Sequence, residues 1–311
     1  MYVLVLGGNG FIGSHVVDAL LLAGHHVRVF GRRPGSGHER LESVQYYFGE
    51  FSDTHKLSEA LNGIDVVIHL ISATVPSTSN LDPIADVQNN LINTLQLLQL
   101  MVSVDVKRII YTSSGGTVYG NPTTLPVPED HPLNPICSYG VVKVSIEKYL
   151  GMFEHDYGLQ PLVLRPSNPF GPRQRHDGTQ GVISTFMKRM MQGEAISVWG
   201  DGSIKRDYLY VADLAELVCK AVASSYCGVV NAGSGIAVSL NELISVMENV
   251  IEKKAKMNYL PGRSFDVKEV VLNVSRASCE LGWKPRTSLE SGIMQQYNWM
   301  IAIASGFQSG G

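Results

Sequence analysis

The chain has 311 residues, 44% of them apolar and 17% charged, which is room for one large domain or two unequal ones with ample core. A net charge of -3 and the lack of a long basic run give no electrostatic preference for nucleic acid or an anionic membrane surface, and no stretch approaches the roughly 18–20 apolar residues of a membrane span. Cys137, Cys219, Cys227 and Cys279 have no C-x-x-C spacing and sit apart from histidines, so neither a disulfide framework nor a metal site is expected, and an apolar start without a basic leader makes the cytoplasm the expected compartment.

Tyr2–Leu6 alternates as a strand and stops at Gly7-Gly8-Asn9-Gly10-Phe11-Ile12-Gly13, after which Phe11–Leu22 carries apolar residues at helical spacing. Ala23-Gly24 then turns the chain into a second strand, His26–Phe30. A glycine run can be an ordinary surface turn, but here it directly follows a strand at residue 7 inside a βαβ unit, which favours a dinucleotide pyrophosphate site. Gly7 allows the tight turn, Gly10 the approach of backbone to the pyrophosphate, and Gly13 the close packing of helix on strand. The helix start supplies free N–H groups and partial positive charge.

Further strands are expected at Val44–Phe48, Val66–Leu70, Arg108–Thr112 and Pro161–Leu164, with helices at Leu57–Leu61, Val87–Val102 and Ser138–His155. Repeated β-then-α order implies an α/β fold with a doubly wound parallel Rossmann sheet. After about residue 170 the rhythm changes. The Gly/Pro/Arg-rich stretch Phe170–Gly181 leads into a helix and then short strands separated by helices. The expected organisation is a dinucleotide-binding domain over 1–170 and a smaller C-terminal α/β substrate-binding lobe over most of 171–311, with some segments returning to the first domain and a frayed tail from Ser305.

Tyr139 and Lys143 are an i, i+4 pair, so on a helix both reach one small site, and the ammonium favours tyrosinate. A free tyrosine titrates near about 10, so a tyrosine base at neutral pH needs such a cation. By itself Y-x-x-x-K is common in amphipathic helices. The strand end Ile109-Ile110-Tyr111-Thr112-Ser113-Ser114 adds weight, because it places hydroxyls at the carboxyl edge of the sheet, where ligands of such folds bind.

With these stretches the chain resembles the extended short-chain dehydrogenase/reductase superfamily, and within it the UDP-galactose 4-epimerase-like epimerases and dehydratases. The likeness runs from Val3 to about Trp299: Gly7 to His15, Asn90 in Asn89–Thr94, Ser113–Gly120, Tyr139 with Lys143, Leu164–Pro172, Gly200–Asp213, and Leu281–Pro285. The resemblance implies that Tyr139 is the catalytic base, that Lys143 holds the nicotinamide ribose and lowers the tyrosine pKa, and that a Ser or Thr hydroxyl meets the reacting sugar oxygen. It implies that Asn90 and Glu50, with Phe51 beside it, contact the cofactor. Asn168 and Arg206 would then meet the diphosphate, and Arg263 and Asp266 the phosphate and uridine ribose.

Two departures stand out. The usual register of the catalytic hydroxyl falls on Gly115, so Ser114, or else Thr117, is expected to supply it. Where NAD-selective members carry an acid, this chain has Gly31-Arg32-Arg33, which opens NADP as well as NAD. Val270, at the position bordering the sugar's C2 substituent, leaves room for N-acetylated hexoses.

The expected activity is 4-epimerisation of UDP-Glc/UDP-Gal, extending to UDP-GlcNAc/UDP-GalNAc, through a 4-keto sugar. The rivals are an NADPH-dependent 4-keto sugar reductase, a 4,6-dehydratase, disfavoured by Gly116-Thr117 where dehydratases carry Asp-Glu, and a silent dinucleotide-binding protein, disfavoured by the intact Tyr139 and Lys143. Helices 87–102 and 138–155 carry apolar residues beyond one stripe and match the family's four-helix dimer interface, so a homodimer is expected.

Overall fold

An unbroken apolar run is buried on both faces most readily inside a parallel sheet, and β1 (Tyr2–Leu6) shows it: Val3, Leu4, Val5 and Leu6 are fully buried. The computed structural model describes residues 1–32, 41–174, 181–262 and 267–305. In chain order the first half runs β1, α1 (Phe11–Leu22), β2 (His26–Gly31), β3 (Val44–Phe48), α2 (Thr54–Leu61), β4 (Val66–His69), α3 (Pro83–Asp86), α4 (Asn93–Ser103), β5 (Arg108–Thr112), α5 (Ser138–Tyr157) and β6 (Gln160–Pro166). The second half runs β7 (Asn168–Phe170), α6 (Val182–Gln192), β8 (Ala195–Trp199), β9 (Lys205–Tyr210), α7 (Val211–Ala223), β10 (Gly228–Ala232), β11 (Ala237–Ser239), α8 (Leu240–Ile251), β12 (Lys256–Leu260), β13 (Glu269–Val270), α9 (Ser275–Leu281) and α10 (Leu289–Ala304).

Seven parallel strands form the main sheet in the order β10-β6-β5-β4-β1-β2-β3. The expected doubly wound sheet is therefore present. Side chains alternate across β1: Val3 and Val5 pack with Val16, Val17 and Leu20 of α1, Leu217 and Val218 of α7, and Trp283. Leu4 and Leu6 pack on the other face with Leu97 and Leu98 of α4 and Val142 and Ile146 of α5. Strand order reverses between β1 and β4, and the crevice at the carboxyl ends of such strands is where ligands of these sheets bind.

The edge strand β10 reaches the sheet from beyond residue 170, and α7 and α9 cover the same face as α1. Strands β7, β9, β11 and β13 form a separate small sheet and β8 pairs with β12. Phe170, Met187, Ile196, Val198, Leu243, Met247 and Ile293 fill the core of that lobe. The helix expected over 87–102 differs from a single α-helix: Val87–Ile92 is a π-helical turn between α3 and α4, a widening often found at functional sites. Among the described residues no helix is long and apolar enough to cross a membrane.

Candidate active site

The glycine turn works by close approach. Gly7 sits at φ +85°, where side chains are strained, and a Cβ on Gly13 would lie 2.1 Å from the Gly7 carbonyl oxygen, so α1 can lean this closely on the turn only with glycine there. Gly10 is the N-cap of α1 and makes no side-chain cap bond, so the first amides of the helix, from Phe11, Ile12 and Gly13, keep their N–H groups for an anion. These residues fit a dinucleotide pyrophosphate. Asn9 Nδ2 donates to the Arg32 carbonyl at 3.0 Å and ties the turn to the end of β2.

Beside it lies a cleft of about 430 Å³ lined by Arg32, Phe48, Gly49, Glu50, Asp53 and Lys56. Two cations and two carboxylates thus border the place where the adenosine half of a dinucleotide would lie. Phe51 is buried, its ring 5.1 Å from that of His69. Arg33 lies outside the described residues, as do Arg263 and Asp266.

Tyr139, Lys143 and Glu147 succeed one another at helical spacing on one face of α5. Lys143 is 6% exposed, and its Nζ donates to the Thr112 carbonyl at the end of β5 at 2.8 Å. The ammonium stands 4.8 Å from the ring centre of Tyr111 and 5.4 Å from that of Tyr139. Burial brings its pKa down to about 8, opposed by the carboxylates of Glu147 and Asp86. Burial pushes the Tyr139 hydroxyl well above its ordinary value, and the neighbouring Ser72 pulls the other way. A tyrosine poised by a cation at a sheet edge can exchange a proton with a substrate hydroxyl.

The hydroxyl-bearing loop after β5 is divided in its duties. Ser113 donates to Glu147 Oε1, and a side chain on Gly115 would meet Leu272 Cδ1 at 2.5 Å and the Arg165 carbonyl at 2.9 Å. Position 115 therefore has no room for the usual serine or threonine. Ser114 is 9% exposed, and the Thr117 hydroxyl is buried without a hydrogen-bond partner among the described residues. A Cβ on Gly140 would lie 2.9 Å from the Thr117 carbonyl, so Thr117 abuts the residue next to Tyr139.

Asn90 spends its side chain inside the protein: Oδ1 accepts from the Ala73 amide at 2.8 Å, and Nδ2 donates to Asp86 Oδ1 at 2.8 Å. It shapes the loop after β4. Asn168 Nδ2 donates to the Asp207 carbonyl at 2.8 Å, and Arg206 donates to the carbonyls of Lys205 at 2.8 Å and Val267 at 2.7 Å. Val270, 3% exposed, packs with Val118, Tyr119, Val127 and Leu272, so it is engaged in apolar packing.

Sequence reasoning passed over several polar residues that the fold gathers here. Glu147 pairs with Arg165, whose Nη1 also donates to Tyr119 Oη at 2.9 Å and the Glu129 carbonyl at 3.0 Å, and both side chains are nearly inaccessible. Tyr119 continues to Asn231 Oδ1 at 2.6 Å. His69 is held neutral, its pKa brought to about 3 by burial and the charge of Lys143. Thr94 spends its proton on the Asn90 carbonyl at 2.6 Å, which assigns the proton at 2.9 Å to His69 Nε2. Glu147 continues the Tyr139–Lys143 spacing, a signal that could have found it; Asp86 and Ser72 had none, because only the folded loop brings them in.

The glycine crevice and the Tyr–Lys face define a dinucleotide-dependent enzyme, and comparison gives its family. Residues 3–233 match the NAD dependent epimerase/dehydratase family, and the chain belongs to it. A UDP-glucose 4-epimerase of Mycolicibacterium smegmatis is 33% identical over 94% of this chain and 96% of its own length. A dTDP-4-dehydro-6-deoxyglucose reductase of Escherichia coli is 32% identical over 94% of this chain and 95% of its own. Among solved structures, UDP-glucose 4-epimerase of Thermotoga maritima with UDP-glucose superposes with a TM-score of 0.91 at 34% identity, covering 98% of this chain and 100% of that one. The expected resemblance is borne out in sequence and in fold.

Proposed function

We propose that this chain is a nucleotide-sugar 4-epimerase that interconverts UDP-glucose and UDP-galactose through a transient 4-keto sugar, and UDP-GlcNAc with UDP-GalNAc by the same route. The observation that carries the reading is the convergence of half-buried Tyr139 and buried Lys143 on one face of α5, against the end of β5. In this reading Tyr139 takes the 4-hydroxyl proton and later returns it. Lys143 lends its charge to the tyrosinate and holds the nicotinamide ribose. Ser114 or Thr117 meets the sugar's reacting oxygen. Asn168, Arg206, Arg263 and Asp266 grip the UDP moiety, whose remote binding energy orients the reacting carbon.

The amides of Phe11, Ile12 and Gly13 would hold the cofactor pyrophosphate, with Arg32, Arg33, Glu50 and Phe51 toward the adenosine and ribose. When bound, NAD supplies the oxidant that takes hydride from C4 and gives it back on the opposite face, so none is consumed. A second reading, an NADPH-dependent 4-keto sugar reductase, draws on Arg32 and Lys56 beside the adenosine cleft, where a 2′-phosphate would find cations. The reductase among the relatives supports it too. For assembly, Ile92, Val141, Tyr149 and Met152 expose apolar surface on the stretch containing α4 and on α5, which supports a homodimer through those helices.

Native mass spectrometry of the freshly purified protein reads cofactor and assembly together. A dimer carrying one NAD per chain is expected. A monomer would remove the dimer, and a nucleotide-free protein that takes up NADPH reversibly would shift the reading to the reductase.

A further inference from the structure

The helix that carries Tyr139 begins without a cap of its own. Cys137, the N-cap residue of α5, makes no side-chain cap bond, so the start of the helix is fixed by other segments. We propose that Asp86 is a positioning residue of the acid–base centre: through Ser138 it sets where α5 begins, and so where the Tyr139 hydroxyl stands. What Tyr139 does to a sugar rests on the epimerase reading; the tie itself does not.

Asp86 is fully buried, and both of its oxygens are engaged. Oδ2 accepts from Ser138 Oγ at 2.7 Å, while Oδ1 accepts from Thr74 Oγ1 at 2.6 Å and Asn90 Nδ2 at 2.8 Å. The Ser138 amide, a first-turn N–H with no acceptor inside its own helix, donates to Asn80 Oδ1 at 2.8 Å. Ser138 is thus held by its hydroxyl and its N–H together, and it directly precedes Tyr139. On the other side of the tyrosine, a Cβ on Gly140 would lie 2.8 Å from Pro135 Cβ and 2.9 Å from the Thr117 carbonyl oxygen, so residue 140 is pressed against those neighbours. Tyr139 sits between the two, and the Ser138 side is the one secured by side-chain hydrogen bonds.

Asp86 is itself referred to the sheet. It closes α3, and the π turn Val87–Ile92 follows directly. Side chains bond back to the carbonyls of this widened stretch: Asn90 Nδ2 to that of Asp86 at 3.1 Å, Asn93 Nδ2 to that of Asn89 at 3.2 Å, and Thr94 Oγ1 to that of Asn90 at 2.6 Å. Thr94 also meets His69 Nε2, at the end of β4, at 2.9 Å. A chain of hydrogen bonds therefore runs from β4 through Thr94, Asn90 and Asp86 to Ser138. An amide at position 86 would turn an N–H toward one of its two arms, which a carboxylate does not. A reacting group moved by about 1 Å can cost about a hundredfold in rate, so a tie one residue from Tyr139 is felt in turnover.

The test uses the NAD-loaded protein. Ser138→Ala is expected to lower kcat about tenfold and Asp86→Asn about a hundredfold, with KM within about twofold and NAD content unchanged. Because both act through one bond, the double variant should be no slower than Asp86→Asn alone, whereas independent losses would multiply to about a thousandfold. Ser138→Thr, which keeps the hydroxyl, should return kcat to near that of the parent. Crystal structures of the NAD-bound parent and variants are expected to show the Tyr139 hydroxyl displaced by about 1 Å in Ser138→Ala and in Asp86→Asn. Parent-like kcat in Ser138→Ala, losses that multiply, or an unmoved Tyr139 hydroxyl would overturn the proposal. Should Asp86→Asn fail to fold, the two Ser138 variants decide it. The crystal comparison needs no sugar, so a protein that epimerises no UDP-sugar would sink the functional reading and leave the Asp86 tie to be judged on the displacement alone.

Discussion

Tyr139→Phe is expected to lower kcat by roughly a hundred- to ten-thousand-fold, the usual worth of a positioned acid–base group, while NAD remains bound. The substitution removes one oxygen and keeps the ring. The ring's contact with the Lys143 ammonium, at 5.4 Å, survives, and Lys143 keeps its anchor at the Thr112 carbonyl at 2.8 Å. The amides offered to the pyrophosphate lie on α1 and do not depend on Tyr139. Turnover and cofactor content should therefore separate. Activity within about tenfold of the parent would remove Tyr139 from the chemistry.

Arg165→Met is expected to cost about 3–5 kcal/mol of stability, the range for breaking a buried ion pair by removing one partner. Arg165 and Glu147 are 3% and 6% exposed, so neither can fall back on water. The arginine joins β6 to α5 through Glu147, and to the Tyr119 hydroxyl and Glu129 carbonyl. Without it the Glu147 carboxylate keeps only the Ser113 hydroxyl of this network, one helical turn from Lys143. Arg165→Met combined with Glu147→Leu should recover much of the loss, since burying neither charge costs less than burying one. Urea unfolding of the three proteins checks this; a single variant within about 1 kcal/mol of the parent would show that the pair is better solvated than its burial implies.

The legible parts of the site are those whose chemistry is written locally. The glycine turn could be read because contacts within seven residues, such as Gly13 against the Gly7 carbonyl, forbid any side chain. Tyr139 and Lys143 could be read because helical spacing alone puts them on one face. The hydrogen bonds to Asp86 could not, since Thr74, Asp86 and Ser138 come from a loop and two helices far apart in the sequence that only the fold brings together. The π turn at Val87–Ile92 was hidden because six residues are too few to distinguish its period from that of an α-helix. The placement of β10 beside β6 was also hidden, because strand order is a tertiary fact that periodicity does not encode. Arg206 and Val270 show a further limit: motif position named them, but their carbonyl bonds and apolar packing come from neighbours that only the folded lobe supplies.

The central claim is that the enzyme oxidises and re-reduces the same carbon with a cofactor it keeps. Purified protein should be given UDP-glucose without added nicotinamide nucleotide, and the anomeric proton signals followed by NMR. UDP-galactose should appear with many turnovers per chain and reach the same mixture when the reaction starts from UDP-galactose. No conversion of either sugar nucleotide in either direction by nucleotide-loaded protein would contradict the epimerase.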